Sequence, residues 1–288
     1  MALEEKRRHS SELVPYSYYK CLIPDYFDCV PLHWHSEFEI NYVLEGQAEF
    51  LCGDERFVTQ TGDVVIIPPN RLHAIYTHGD FEQRYDTIVF SADMLGASVN
   101  DRCAAECIRP LVNGHFGIRI HITALHPYYD EIKTTVENIF SCAKGNTSQL
   151  DMLLKSEMLR LFWLLEDSGD IFYTDGNRID SAELIRPAIE YINDNYCENI
   201  TVQQLAAVVN LSKSYFMARF KQAAGVGAVE YITQLRIKKA CRLLAESRMT
   251  AAEIAFECGF RNLSNFNRQF RKVAGCTPVE YRKICCKT

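Results

Sequence analysis

The last third of the 288-residue chain contains two copies of one pattern, offset by 49–50 positions. The copies span 201–231 and 250–281, and their apolar, glycine and aromatic positions coincide, as with Phe220 and Phe270. A match of this extent is typical of an internal duplication. The chain is therefore expected to fold this region as two similar units.

Each copy is predicted to form a helix, a tight turn and a second helix. Thr201 and Thr250 begin capping-box motifs, in which the hydroxyl caps a backbone N–H and the residue three positions later reaches back. Asn210 and Gly259 occupy the turns, and these residue types tolerate positive φ. Between the copies, the apolar spacing from Tyr231 to Ala245 predicts one long connecting helix.

The second helix of each unit carries polar and basic side chains on the face opposite its two phenylalanines, at about 100° per residue. From position 183 onward the chain has 16 Lys+Arg and 9 Asp+Glu, whereas the first 182 residues have 15 and 28. A basic helix of this kind fits the major groove, where arginine pairs with guanine and other cations meet phosphates. A merely solvated face is the alternative, which the duplication disfavours. The outward residues are Ser214, Tyr215, Ala218, Lys221 and Gln222 in the unit at 201–222, and Ser264, Asn265, Arg268, Arg271 and Lys272 in the unit at 250–272.

Residues 184–283 resemble the DNA-binding domain of the AraC/XylS family of bacterial regulators, through strings such as YITQLRIKKACRLL and IAFECGF. The resemblance implies an all-α domain in which a long helix joins two helix-turn-helix units, which contact successive major grooves about 34 Å apart. Since the first unit has few polar groups at the family's base-reading positions, we expect Arg268 to provide most of the direct readout. Those positions correspond here to Ser214, Met217, Ala218, Ser264, Asn267 and Arg268.

The front half contains two further motifs, at residues 33–46 (HWHSEFEINYVLEG) and 62–73 (GDVVIIPPNRLH). Their spacing resembles both motifs of the cupin β-barrel, with Asn70 where the second motif usually has glycine. Alternating apolar runs around them predict a small antiparallel jelly roll. In metal-binding cupins the matching residues converge on one divalent ion, here zinc, iron, nickel or manganese. These residues are His33, His35, Glu39 and His73.

Two alternatives to a metal remain open for these four residues. They could line a pocket for a small polar effector such as a sugar, with Trp34 and Tyr42 as further contacts, and then no cofactor is required. They could also make purely structural polar contacts.

The sequence thus predicts an α+β protein of two domains, a cupin-like barrel with following helices and an all-α DNA-binding domain. In the broadly apolar helical region, both a dimer interface and packing against the chain's own barrel remain open. The expected segments are an N-terminal arm at 1–20, the barrel at 21–125, the helical region at 126–166, a linker at 167–182 and the DNA-binding domain at 183–288.

These features favour an effector-responsive transcriptional regulator, more often an activator in this family, that binds double-stranded DNA near promoters. As an activator it would contact RNA polymerase, and we expect a homodimer. We expect a cytoplasmic protein, because the sequence has no secretory h-region or membrane span and its cysteines are scattered. The rival is a metal-dependent cupin enzyme tethered to DNA, but no nucleophile–base constellation supports an enzyme. A DNA-repair fusion would need a reactive cysteine cluster, which Cys103 and Cys107 do not resemble.

Overall fold

The chain folds as two units in the computed structural model, which describes residues 13–24, 29–145, 147–174 and 181–285. The boundary between the units falls at residues 179–180. The first unit is a β-sandwich with helices on one side, and the second is all-helical. The predicted α+β class with two domains is confirmed.

The first unit contains two facing antiparallel sheets, as expected for a jelly roll. The five-stranded sheet has the order β1-β8-β3-β6-β10 and the four-stranded sheet has the order β2-β7-β4-β5, while β9 and β11 form a separate pair. The strands are β1 Tyr16–Ile23, β2 Cys29–His33, β3 Phe38–Gly46, β4 Ala48–Cys52, β5 Glu55–Thr59, β6 Val64–Ile67, β7 His73–Thr77, β8 Gln83–Phe90, β9 Phe116–Ile118, β10 His121–Ile122 and β11 Ile171–Tyr173.

The five-stranded sheet is buried on both faces because one face meets the other sheet and the second face meets two helices. Phe50, Ile75 and Tyr85 pack in the core between the sheets, whereas Phe38 and Ile40 belong to the core under the helices. Successive strand residues point to opposite faces, so β6 supplies both cores, with Val64 and Ile66 under the helices and Val65 and Ile67 between the sheets. The helical elements here are a 3-10 turn at Ala92–Leu95, a π-helical turn at Ala104–Ile108, α1 Arg109–Val112, α2 Tyr129–Gly145 and α3 Ser148–Asp167.

Two predicted segment boundaries differ from the structure. Strand β1 begins at Tyr16, so part of the predicted arm at 1–20 pairs with β8 in the barrel. Strand β11 lies inside the predicted linker at 167–182 and pairs with β9, with Ile171 opposite Ile118. A three-residue strand is too short to give an alternation pattern in the sequence, and only its partner β9 defines it.

The second unit repeats one helix-turn-helix arrangement, as predicted. Capping boxes are present at Thr201 with Gln204 and at Thr250 with Glu253. The long connecting helix is also confirmed, and it is α7. The helices are α4 Ser181–Asn195, α5 Val202–Val208, α6 Lys213–Ala224, α7 Ala228–Glu246, α8 Ala251–Glu257, α9 Leu263–Ala274 and α10 Pro278–Cys285.

The duplication extends to the turns and the aromatic packing. Asn210 has a φ of 54° and Gly259 a φ of 82°, so the expected positive φ is confirmed at both turns. Aromatic rings then join the second helix of each unit, α6 or α9, to the helix that follows it. Phe220 lies 5.7 Å from Tyr231, and the equivalent centroid distance in the second unit is also 5.7 Å. These contacts orient α6 and α9 so that their other faces are exposed.

Candidate nucleic-acid interface and candidate metal centre

The recognition helices α6 and α9 present the predicted DNA-contacting residues to solvent. The buried positions on these helices include Phe216 and Phe220 in one and Phe266 and Phe270 in the other. Asn265 is half-buried, and the other predicted residues are exposed. The exposed residues are Ser214, Tyr215, Met217, Ala218, Lys221, Ser264, Asn267, Arg268, Arg271 and Lys272.

Asn265 supports Arg268 as well as lying on the DNA-facing side of α9. The backbone N–H of Asn265 donates to Asn262 Oδ1 at 2.8 Å, which caps the helix. Its side-chain Oδ1 accepts a hydrogen bond from Arg268 Nη2 at 3.0 Å. This contact orients the guanidinium before DNA arrives, which lowers the cost of ordering a long side chain on binding.

The structure adds Arg219 to the basic side chains near the interface. Its guanidinium carbon lies 4.9 Å from the ring centroid of Tyr215, and its Nη1 donates to Gln222 Oε1 at 2.9 Å. The i,i+4 spacing of Tyr215 and Arg219 was the signal in the sequence for this pairing. A cation stacked on an aromatic ring in this way can meet a phosphate while losing little side-chain entropy.

The four residues of the cupin motifs converge inside the barrel. One ligand atom of each of His33, His35, Glu39 and His73 lies within 4.8 Å of the others. Glu39 Oε2 lies 3.0 Å from His35 Nε2 and 3.6 Å from His73 Nε2. All of these residues except His33 are buried. The sequence prediction that these residues form one group is therefore met by the geometry.

The three histidine rings are held from behind by backbone carbonyls. Their Nδ1 atoms pair with carbonyl oxygens, His33 at 2.8 Å, His35 at 3.0 Å and His73 at 2.8 Å. A carbonyl oxygen can only accept, so each Nδ1 carries a proton and each Nε2 is left to face the group. Rings anchored through Nδ1 in this way are characteristic of metal-ligating histidines. His35 Nε2 donates to the Glu39 carboxylate at 3.0 Å, and a metal would displace that proton on binding.

His73 Nε2 is a buried polar atom without a hydrogen-bond partner among the described residues. Such atoms are rare in folded proteins and indicate a role or a missing partner. A carboxylate oxygen at 3.6 Å is too distant to be a hydrogen-bond acceptor. His73 Nε2 therefore points into the group, and no described side chain forms a hydrogen bond with it.

Glu39 remains ionised despite its burial. Burial by itself raises the pKa of Glu39, but the hydrogen bond from His35 and the electrostatic interaction with both His35 and His73 outweigh it and hold that pKa well below its usual range. The other carboxylate oxygen accepts from Asn41 Nδ2 at 2.8 Å, and Asn41 Oδ1 accepts from the Thr87 hydroxyl at 2.6 Å. This buried chain orients the carboxylate toward the histidines.

The structure does not bring Tyr42 to this group, so that expectation is corrected. Tyr42 lies three positions after Glu39 on β3 and therefore on the opposite face. Its hydroxyl donates to Glu137 Oε1 of α2 at 2.9 Å. Trp34 lies between two of the histidines in sequence and is buried, with 6% of its surface exposed.

Asn70 takes the backbone conformation that a glycine would supply at its position in the second cupin motif. Its φ is 60°, and asparagine is one of the few other residue types that adopts such a value readily. Its N–H donates to the carbonyl of His35 at 2.7 Å. This bond connects the two motifs at the histidine group.

A separate polar group surrounds Asp170 at the end of α3. Its carboxylate accepts from the Ser168 hydroxyl at 2.5 Å, pairs with Arg119, and lies 2.7 Å from His126 Nε2. Asp170 is 2% exposed, and the surrounding side chains line an open surface cleft.

The described part of the chain has no helix that is long and apolar enough to cross a membrane.

Each of the two units matches a known protein family. Residues 23–162 match the AraC-like ligand binding domain family, and residues 205–284 match a helix-turn-helix domain family. The raffinose operon regulatory protein RafR of Pediococcus pentosaceus is 28% identical over 256 residues, covering 85% of this chain and 84% of that protein. The arabinose operon regulatory protein of Salmonella typhimurium is 25% identical over 249 residues, covering 85% and 83%. The crystal structure of ToxT from Vibrio cholerae matches 95% of this chain and 99% of that one, with 16% identity and a TM-score of 0.44.

A ligand-binding barrel followed by two helix-turn-helix units defines a transcriptional regulator that binds DNA and responds to a small molecule. The chain belongs to the AraC/XylS family of such regulators.

Proposed function

We propose that this regulator binds promoter DNA in the cytoplasm as a homodimer and activates transcription when a small polar effector, such as a sugar, enters the barrel. The observation that carries the proposal is that one chain contains both a barrel with four convergent polar side chains and a pair of exposed recognition helices. An effector can act only if it binds one arrangement of the protein more tightly than another. As an activator, the regulator would contact RNA polymerase from its promoter site.

The effector is tested by DNA binding in the presence of sugars. The names of two relatives refer to the raffinose and arabinose operons, so these two sugars are the first probes. We expect one of them to change the affinity for promoter DNA by about 5–150-fold, the usual size of coupling between sites. A His35→Ala variant should bind DNA with its basal affinity and lose this response. If neither sugar changes DNA binding, the sugar proposal is wrong.

We also propose that His33, His35, Glu39 and His73 bind one divalent cation. The fit rests on one ionised carboxylate and three convergent imidazole rings, of which His73 presents an Nε2 without a hydrogen-bond partner among the described residues. Nitrogen and carboxylate ligands suit zinc, iron, nickel or manganese. The ion would offer a Lewis-acidic contact for an oxygen atom of the effector. Asn41 would keep the Glu39 carboxylate facing the ion.

Elemental analysis of protein purified without a polyhistidine tag tests the metal. We expect about one equivalent of a divalent metal in the wild type, and loss of most of it in Glu39→Gln, because a ligand must be deprotonated to bind. His126→Ala is the matched control, since His126 is paired with Asp170 elsewhere in the unit. A wild-type content below about a tenth of an equivalent, under conditions where zinc is available, would contradict the metal proposal.

The homodimer is proposed to form through the outer face of α3. Its inner face packs into the sheet core with Leu154 and Met158, yet Met152, Leu159 and Trp163 are 76%, 42% and 59% exposed. These three lie at i, i+7 and i+11, the spacing of a helix–helix seam. An exposed apolar stripe of this kind is unusual on a monomer, and a second copy of α3 offers the matching stripe.

Sedimentation velocity tests this interface. Leu159→Glu should convert the dimer to a monomer at micromolar concentration, whereas Arg160→Glu, on the next exposed position, should leave the dimer intact. A dimer that survives Leu159→Glu, or a wild-type monomer, would contradict the α3 interface.

The enzyme alternative is not favoured by any arrangement of nucleophile and base among the described residues, and the regulator is proposed to have no catalytic activity.

A further inference from the structure

The outward faces of α6 and α9 differ in chemistry, although the two helices hold equivalent places in the duplication. On α6 the outward stripe lies at i, i+3, i+4 and i+7. Its four members are all exposed, and they are Ser214, Met217, Ala218 and Lys221. The two central members, Met217 and Ala218, are apolar, whereas the equivalent positions of α9 hold Asn267 and Arg268. The centre of the α6 stripe therefore carries no side-chain hydrogen-bond donor.

The polar side chains that follow on α6 lie on one flank of this stripe and contact each other. Tyr215, Arg219 and Gln222 lie about 80–140° around the helix from Ser214. The Arg219 guanidinium carbon lies 4.9 Å from the Tyr215 ring centroid, and its Nη1 donates to Gln222 Oε1 at 2.9 Å. The arginine of α6 is thus held beside the stripe, where it suits a phosphate contact, and phosphate contacts position a helix without specifying bases.

Met217 and Ala218 leave an apolar surface for the bases themselves. The side chain of Met217 is 49% exposed, and a thioether is flexible and polarizable enough to adapt to an irregular surface. At the edges of the base pairs in the major groove, the C5-methyl group of thymine is the apolar group, while the other bases present hydrogen-bond donors and acceptors.

We propose that α6 recognises thymine, through contact of Met217 and Ala218 with C5-methyl groups in the major groove. The inference rests on the proposed binding of promoter DNA by α6, and it adds the class of base that this helix selects. The two units then recognise different chemistry. The first reads apolar methyl groups, and the second reads hydrogen-bonding base edges through Asn267 and Arg268.

Replacement of thymine by uracil tests the inference, because the two bases pair identically and differ by one methyl group. Selection from random-sequence duplexes by the full-length protein supplies a bound site, in which each thymine is then replaced singly by uracil. Fluorescence anisotropy measures the affinity. We expect one or two neighbouring replacements to weaken binding by about fourfold each, the effect of burying one methyl group. Met217→Ser should bind the thymine site more weakly and lose most of this uracil penalty.

Two further variants separate the methyl contact from other effects. Met217→Leu keeps an apolar side chain and should retain the uracil penalty. Asn267→Ser, at the equivalent position of α9, should weaken binding but leave the ratio between thymine-site and uracil-site affinity unchanged.

Three results would overturn the inference. Equal affinity of the wild type for thymine and uracil sites would overturn it while leaving DNA binding intact. An undiminished uracil penalty in Met217→Ser would also overturn it, because the methyl groups would then act through the shape of the DNA. Failure to select any sequence would overturn the proposed DNA recognition, and the inference with it.

Discussion

The turn of the second helix-turn-helix unit depends on Gly259, and replacing it with alanine tests how that unit packs. Gly259 has a φ of +82°, and a Cβ there would lie 2.2 Å from the carbonyl oxygen of Cys197. The left-handed conformation costs a non-glycine residue about 1–2 kcal/mol. Overpacking against backbone, which cannot rotate away, adds about 1–3 kcal/mol. Gly259→Ala should therefore destabilise the DNA-binding domain by about 3 kcal/mol and lower its Tm by more than about 10 °C.

Gly275→Ala is the matched control. Gly275 has a φ of +73°, and no described atom outside its own neighbourhood lies within 4 Å of the position of an added Cβ. The same substitution should therefore cost only the left-handed term, about 1 kcal/mol. The difference between the two variants isolates the close approach of Gly259 to Cys197.

Urea unfolding of the full-length protein provides the assay. Far-ultraviolet circular dichroism follows the helical domain, and both tryptophans, Trp34 and Trp163, lie in the first unit. Tryptophan fluorescence should therefore be unchanged in both variants. Equal losses of stability for Gly259→Ala and Gly275→Ala, or a shift of the fluorescence transition, would refute the reasoning.

Three further predictions concern single charged side chains. Arg268→Ala should cost about 1–3 kcal/mol of DNA affinity and relax the preference at one base pair, as measured by anisotropy with singly substituted operators. Arg271→Ala should weaken binding to all DNA sequences equally. It should also reduce the slope of log affinity against log salt concentration by about one. Burial would raise the pKa of Asp170, but its hydrogen-bond partners and nearby positive charges lower it. The stabilisation by Asp170 is thus present above its unfolded pKa of about 3.9 and lost as pH falls through the folded value. Asp170→Asn should destabilise the first unit by about 2 kcal/mol at pH 7, and the difference from wild type should shrink below pH 4 when both are unfolded in urea.

Local patterns were sufficient to predict the second unit. Capping boxes, turn residues and aromatic pairs act within one or two helical turns, and a duplication repeats them with the same spacing. Asn210 and Gly259 show the limit of such patterns. Both residues adopt a positive φ. Only the structure shows that position 259 also has no room for a Cβ, because the Cys197 backbone, from a distant part of the chain, lies too close.

The candidate metal group could be predicted because its residues belong to two motifs whose spacing matches that of the cupin motifs. The misplaced Tyr42 could have been avoided, since a residue three positions from Glu39 on a strand must face the other way. Other features had no signal of their own in the sequence. The π-helical turn beside Cys103 and the orphaned nitrogen of His73 both depend on tertiary packing.

The central claim, that this protein regulates specific promoters, is tested most directly by capture of sheared genomic DNA from the source organism. Purified protein and an Arg268→Ala/Arg271→Ala variant would each be incubated with the fragments, and the retained DNA would be sequenced. We predict enrichment of a few promoter-proximal sites by the wild type and loss of that enrichment in the variant. Equal recovery of random fragments by both proteins would contradict sequence-specific regulation through α9.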